Sequence, residues 1–132
     1  MKAGSSGKFV IAIATVALVG APALAHHSFA MFDNSKIVTL NGTVSAFKWT
    51  NPHIWINIVA PRPSGGGQVE WIIEGPSVNG LARIGWSRST IRPGDRIAIN
   101  INPLKNGTPG GSLVSLTVNG RVMRAHNRSA GD

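Results

Sequence analysis

The chain has no cysteine and no tyrosine, and it carries only five acidic residues against thirteen lysines and arginines. Without cysteine there are no disulfides, thiol nucleophiles, thiolate zinc sites or iron–sulfur clusters, and no lipid-modified cysteine to anchor a lipoprotein. Stability must come from a packed core. Without tyrosine there is no phenol to act as acid, base or metal ligand. The scarcity of carboxylates limits paired-acid hydrolysis. Glu70 and Glu74, four apart on a predicted strand, would stand about 13 Å apart, beyond the separation such enzymes use. No Ser-His-Asp order and no helical zinc-protease motif occurs. The glycine-rich stretches 65–67 and 107–111 lack the lysine or strand–helix setting that phosphate binding needs. No enzyme is expected from these residues.

A membrane-spanning run is also missing. Phe9 to Leu18 is apolar apart from Thr15, but a span needs about 20 apolar residues. Lys2 and Lys8 precede this run, Gly20 and Pro22 follow it, and Ala23-Leu24-Ala25 offers small residues where a signal peptidase reads. Residues 1–25 therefore read as a secretory signal peptide cleaved after Ala25, which predicts a periplasmic protein without a transmembrane segment. The formal charge of +8 falls to +6 once Lys2 and Lys8 leave with the signal. On an exported chain such a surplus suits an acidic membrane surface or a small anion, and nucleic acid is not an expected partner.

Residues 26–36 read as an N-terminal arm pinned by Phe29, Met31 and Phe32, residues 37–124 as one small domain, and residues 125–132 as a flexible tail. Within the domain, alternation predicts strands over Ile37–Phe47, His53–Ala60, Gln68–Glu74, Arg96–Ile101 and Leu113–Val118. Gly42 inside the first suggests a bulge or tight bend. Between the third and fourth strands the period changes: Val78, Leu81, Ala82 and Ile84 fit one short helix, with Ser77 to cap it and Gly85 to end it. Asn102–Gly111 reads as a long loop. Asn119-Gly120 predicts a tight hairpin into a short sixth strand, Arg121–Met123. This order predicts an all-β fold, an OB-fold-like antiparallel barrel of five to six strands with one short helix between strands three and four.

The words of the sequence carry a resemblance. His26-His27-Ser28-Phe29-Ala30-Met31-Phe32-Asp33, Gly42-Thr43-Val44, Trp49-x-Asn51-Pro52-His53, Gly85-Trp86, Pro93-Gly94-Asp95, and Asn102-Pro103 followed by Gly110-Gly111 stand in this order. Together they resemble an uncharacterised family of short exported proteins of Gram-negative bacteria, known only as a domain of unknown function. The resemblance implies an envelope protein with a small β-rich domain and brings no activity with it.

Chemistry must come from the residues, and the histidines are the first candidates. Cleavage after Ala25 would give His26 a free α-amine beside its imidazole Nδ1, a chelate that suits copper(II) first and zinc second. His27 and His53 would add nitrogens. Glu74, brought near His53 by the barrel connectivity, would orient it from behind. Cleavage one residue earlier would give Ala25-His26-His27, another copper chelate. The competing reading is a solvated His-His pair and a half-buried His53 bonded to Asn51 or Glu74. His126 reads as tail, Met31 as core and Asp95 as a turn cap. The four tryptophans either seal the barrel or form a stacking platform. Trp71 shares a face with Val69 and Ile73 and reads as core. Trp49, Asn51, Trp55 and Lys105, with Lys48 and the 102–111 loop, are the candidate surface for a small ligand or an envelope protein.

Overall fold

The computed structural model describes Met1 and residues 29–126. Apart from Met1, the proposed signal peptide lies outside the described residues, as do His26 and His27. Six strands and one helix follow in order: β1 (Val38–Lys48), β2 (Trp55–Pro61), β3 (Gln68–Glu74), α1 (Val78–Arg83), β4 (Arg96–Pro103), β5 (Gly110–Val118) and β6 (Arg121–Arg124). A short 3-10 turn, Phe29–Met31, precedes them.

The strands form where apolar and polar residues alternate, and the alternation decides which face is buried. Ile54, Ile56 and Ile58 on one edge of the pattern, and Ile97, Ile99 and Ile101 on another, are all sealed from solvent. Leu40, Val44, Ile73, Leu116 and Val118 complete the barrel interior. Burying each such side chain contributes about 1.5–3 kcal/mol, which a chain without disulfides requires.

Strand β1 is long enough to serve two neighbours. Its first half pairs with β4, from Val38↔Ile101 to Thr43↔Arg96. Its second half pairs with β2, from Thr43↔Val59 to Lys48↔Trp55. β2 continues to β3, β4 to β5, and β6 hangs on β5. The ring closes where β3 meets β5, from Ile72↔Gly110 to Glu74↔Ser112, and that pairing is parallel. The expected barrel with its helix between β3 and β4 is present, but it is mixed rather than antiparallel. The reason is geometric: five strands in a closed ring cannot alternate direction all the way round, so one pair must run the same way.

Two local expectations shift. The irregularity in β1 falls between Val44 and Ala46, not at Gly42. Gly42 instead permits close approach, since a Cβ there would lie 2.6 Å from the Val59 carbonyl oxygen. The 102–111 loop is shorter than expected, because β4 runs through Pro103 and β5 begins at Gly110. Gly110 and Gly111 make this possible. Side chains there would press on the Ile72 and Asn102 carbonyl oxygens at 2.9 and 2.4 Å, so the bare backbone lets β5 pair on both sides.

Helix α1 is capped as expected. The Ser77 hydroxyl accepts from Gly80 N at 3.2 Å. At the other end Trp86 N donates to Leu81 O and Gly85 N to Ala82 O, with Gly85 at φ 93°, a Schellman ending. The helix buries Leu81, and Trp86 follows it into the core. The Trp86 indole N–H donates to the Arg124 carbonyl at 2.8 Å and ties the helix exit to β6. Asn119 and Gly120, both at positive φ, make the predicted β5–β6 hairpin.

Candidate ligand groove around His53 and Glu74

The turn between β1 and β2 carries Trp49, Asn51 and a cis Asn51–Pro52 peptide. His53 follows it, just before β2. Two backbone bonds extend the β2–β3 ladder past the strand ends: Ile54 N to Pro76 O at 3.1 Å and Gly75 N to Ile54 O at 2.9 Å. Gly75 is seated on the Ile54 side chain, which a Cβ would meet at 2.5 Å. The imidazole of His53 is therefore set against the Gly75 backbone, and its Nδ1 donates to the Gly75 carbonyl at 3.2 Å. A carbonyl only accepts, so the proton belongs on Nδ1. In the neutral ring Nε2 then keeps its lone pair.

That nitrogen faces Glu74. Oε1 of Glu74 lies 3.6 Å from Nε2. The sequence reading put Glu74 behind the imidazole as its orienting partner. The Gly75 carbonyl takes that role instead, and the carboxylate sits on the lone-pair side. Asn51, the other expected partner of His53, is exposed, and the hydrogen bond of His53 goes to Gly75. Glu74 is only 9 % exposed although it lies on the outer face of β3. It is opposite Trp55 on β2 and Ser112 on β5, and arm residues Met31 and Phe32 line grooves with it.

The arm is held by main-chain pairing. Asp33 N donates to Pro103 O at 2.8 Å and Lys105 N donates to Met31 O at 3.0 Å. Phe32 forms a bridge with Leu104 and is 5 % exposed. Beyond it, Asp33 accepts from the Ser35 hydroxyl at 2.6 Å and pairs with Lys36 at 3.0 Å. The Ser35 hydroxyl first, and Lys36 next, hold the Asp33 carboxyl below the usual carboxylate range.

Phe32 divides the surface into two grooves that share Glu74. The larger, of about 510 Å³, is lined by Phe29, Phe32, His53, Glu74, Leu113 and His126 among others. The smaller, of about 330 Å³, is lined by Met31, Phe32, Trp55, Ile72, Leu104 and Pro109, again with Glu74. Thus the structure brings Trp55 together with Leu104, Thr108 and Pro109 of the 102–111 loop. Trp49 stays outside both grooves, packed edge-to-face on Phe47 at 5.8 Å. Lys105 is exposed on the loop, and Lys48 is exposed opposite Trp55 on β1.

His126 is the residue that sequence reading missed. Ala125 N donates to Val114 O at 3.0 Å and prolongs the β5–β6 pairing, which carries His126 to the larger groove. No local pattern signals this, because it follows from the register of a hairpin. Asp95 does cap its turn, accepting from Arg92 N at 2.8 Å. Glu70 accepts from Ser45 at 2.7 Å and stands apart from the grooves. Trp71 is core as expected, and its buried indole N–H has no acceptor.

Among the described residues, no group of three or more His, Cys, Asp or Glu side chains is set to hold a metal ion. His53 and Glu74 offer two donors, and the expected His26 and His27 lie outside the described residues. Nor is any described helix long and apolar enough to cross a membrane. No curated protein and no solved structure matches the chain. A family model does, over residues 13–114, and the chain therefore belongs to a family of unknown function, DUF6152.

Proposed function

We propose that this is a small periplasmic binding protein, an OB-type barrel without catalytic activity, which takes a copper ion at the rim between β2 and β3. The strand order β1-β2-β3-β5-β4, closed back on β1, with a helix after β3, supports the OB-type assignment. The observation that carries the metal reading is the pair His53 and Glu74. Nδ1 is committed to the Gly75 carbonyl, and Nε2 faces a nearly buried carboxylate at 3.6 Å. Imidazoles that bind metals commonly donate their second nitrogen to a carbonyl or carboxylate in this way.

Signal cleavage after Ala25 would add the amine and imidazole of His26, with His27 adjacent. Phe29 lines the same groove as His53, and His26 is three residues before it, a reach of at most about 10 Å. Nitrogen donors of this kind favour copper(II), with zinc next in order. The test uses the processed protein, its N-terminus established by mass spectrometry. Titration with copper(II) should give a paramagnetic resonance spectrum with nitrogen coupling and affinity tighter than about micromolar. His53→Ala and His26→Ala should each weaken it. Binding that neither substitution changes would overturn the proposal.

A second reading keeps the barrel and drops the metal: a module that binds a small ligand or an envelope protein. The smaller groove favours it, because Trp55 and the 104–109 loop meet there with exposed Ile72 and Met31. Trp55→Ala should then reduce recovery of the ligand or partner from envelope extracts.

A further inference from the structure

Glu74 poses a problem that its neighbours leave open. It is nine-tenths buried, yet among the described residues its only ion-pair partner is the Nε2 of His53 at 3.6 Å, longer than a hydrogen bond. Exposed Lys48 and Lys105 do not come within ion-pair distance of it. Its oxygens are not sealed, since Trp71 Nε1 is the one buried side-chain polar atom without a partner among the described residues; the carboxylate opens onto the grooves it lines, where a cation can meet it. The other walls of the smaller groove say what kind of cation fits. Trp55 stands directly across the ladder from Glu74, so their side chains share one face of the sheet. Phe32, Met31, Ile72 and Leu104 supply apolar and thioether surface around them. Aromatic faces beside one carboxylate hold a positive charge spread over carbon far better than a bare hydrated ion. The volume, about 330 Å³, suits a small molecule.

We infer that the smaller groove binds a small organic cation, a quaternary or tertiary ammonium, with its charge on Glu74 and its methyl groups on Trp55. This rests on the second reading above, and it names the ligand chemistry for it. Copper at His53 is not needed, and a metal that occupied Glu74 would compete.

The experiment titrates the full processed protein with choline, in the presence of a metal chelator, and follows tryptophan fluorescence and heat. The neutral isostere 3,3-dimethylbutan-1-ol is the control. Choline should bind at least about tenfold more tightly than the isostere, the size of a desolvated cation–aromatic and carboxylate contribution. Glu74→Gln keeps the side-chain shape and should lose about tenfold or more of choline affinity, with little change for the alcohol. Trp55→Phe should weaken binding less than Trp55→Ala, with the fold of each variant checked by circular dichroism. His53→Ala should leave choline affinity within about threefold while weakening copper binding, which separates this inference from the metal proposal. Equal affinity for choline and the alcohol, or full affinity in Glu74→Gln, would overturn it. Loss of choline binding in His53→Ala alone would also count against it. Failure of choline to bind any folded form defeats the ligand class and leaves copper binding to be judged on its own titration.

Discussion

Single residues explain the closest features of this molecule. Gly111 stands where a Cβ would lie 2.4 Å from the Asn102 carbonyl oxygen, on a backbone that cannot yield. Gly111→Ala should therefore destabilise the barrel by about 1–3 kcal/mol or more, the usual cost of overpacking, read as a lower midpoint in chemical denaturation. Asp33 acts through charge instead. Its carboxyl is held below the ordinary range by the Ser35 hydroxyl and by Lys36. A group with a depressed folded value stabilises above its unfolded value, and loses that contribution as the pH falls through the folded one. Asp33→Asn should consequently lower stability at pH 7 and have no effect once the pH is below the folded value. Parallel denaturation curves of the two proteins at neutral and strongly acid pH give the comparison. The contribution is small because the partner Lys36 is exposed and water screens the pair.

At the level of elements, the arm and the helix do different work. The arm pairs with Pro103 and Lys105 and inserts Phe32 between the two grooves. Phe32→Ala should merge the grooves and cost about 3–5 kcal/mol. Increased binding of a hydrophobic dye to the folded variant would report the merger. Helix α1 has only six residues and could not persist alone. It is kept by Leu81, fully buried, and by the Trp86 tie to Arg124. Leu81→Ala should cost about 2–5 kcal/mol, whereas Ser77→Ala, which removes only the cap, should cost about 1 kcal/mol. A Leu81→Ala penalty no larger than that of the cap would show that the helix is not part of the core.

For the whole molecule, one buried cluster joins every described strand and the helix. Unfolding should accordingly be a single cooperative event. Tryptophan fluorescence and far-ultraviolet circular dichroism should give superimposable denaturation curves, and separated curves would mean that β6 or the helix unfolds independently. Basic residues stand at both ends of the barrel, with Lys48 and Lys105 at the end that carries Glu74. Arg92 and Arg96 lead into β4, and Arg121 opens β6 on the register of Val118 and Ile97. That end of the barrel lies away from Glu74 and the grooves, at the opposite ends of β4 and β5.

The strands were legible because apolar residues alternate with polar ones, most plainly as isoleucines in β2 and β4, and the helix because the period changes between Glu74 and Arg96. Ser77, Gly85 and Asn119-Gly120 mark their turns by local chemistry that needs no tertiary partner. The meeting of His53 and Glu74 could be anticipated from connectivity, since the start of β2 and the end of β3 share one end of the barrel. What sequence could not decide was direction and depth. The parallel β3–β5 seam follows from closing an odd ring. The switch of Glu74 from orienting group to the face of Nε2 depends on where the Gly75 carbonyl points. The grooves that Glu74 lines are completed by Phe32 of an arm far from β3 in the chain, and the arrival of His126 depends on hairpin register. Periodicity and turn chemistry are properties of neighbouring residues and are written in the sequence. Which groups face one another across the barrel depends on closure and on side-chain cover, and only the tertiary structure settles those.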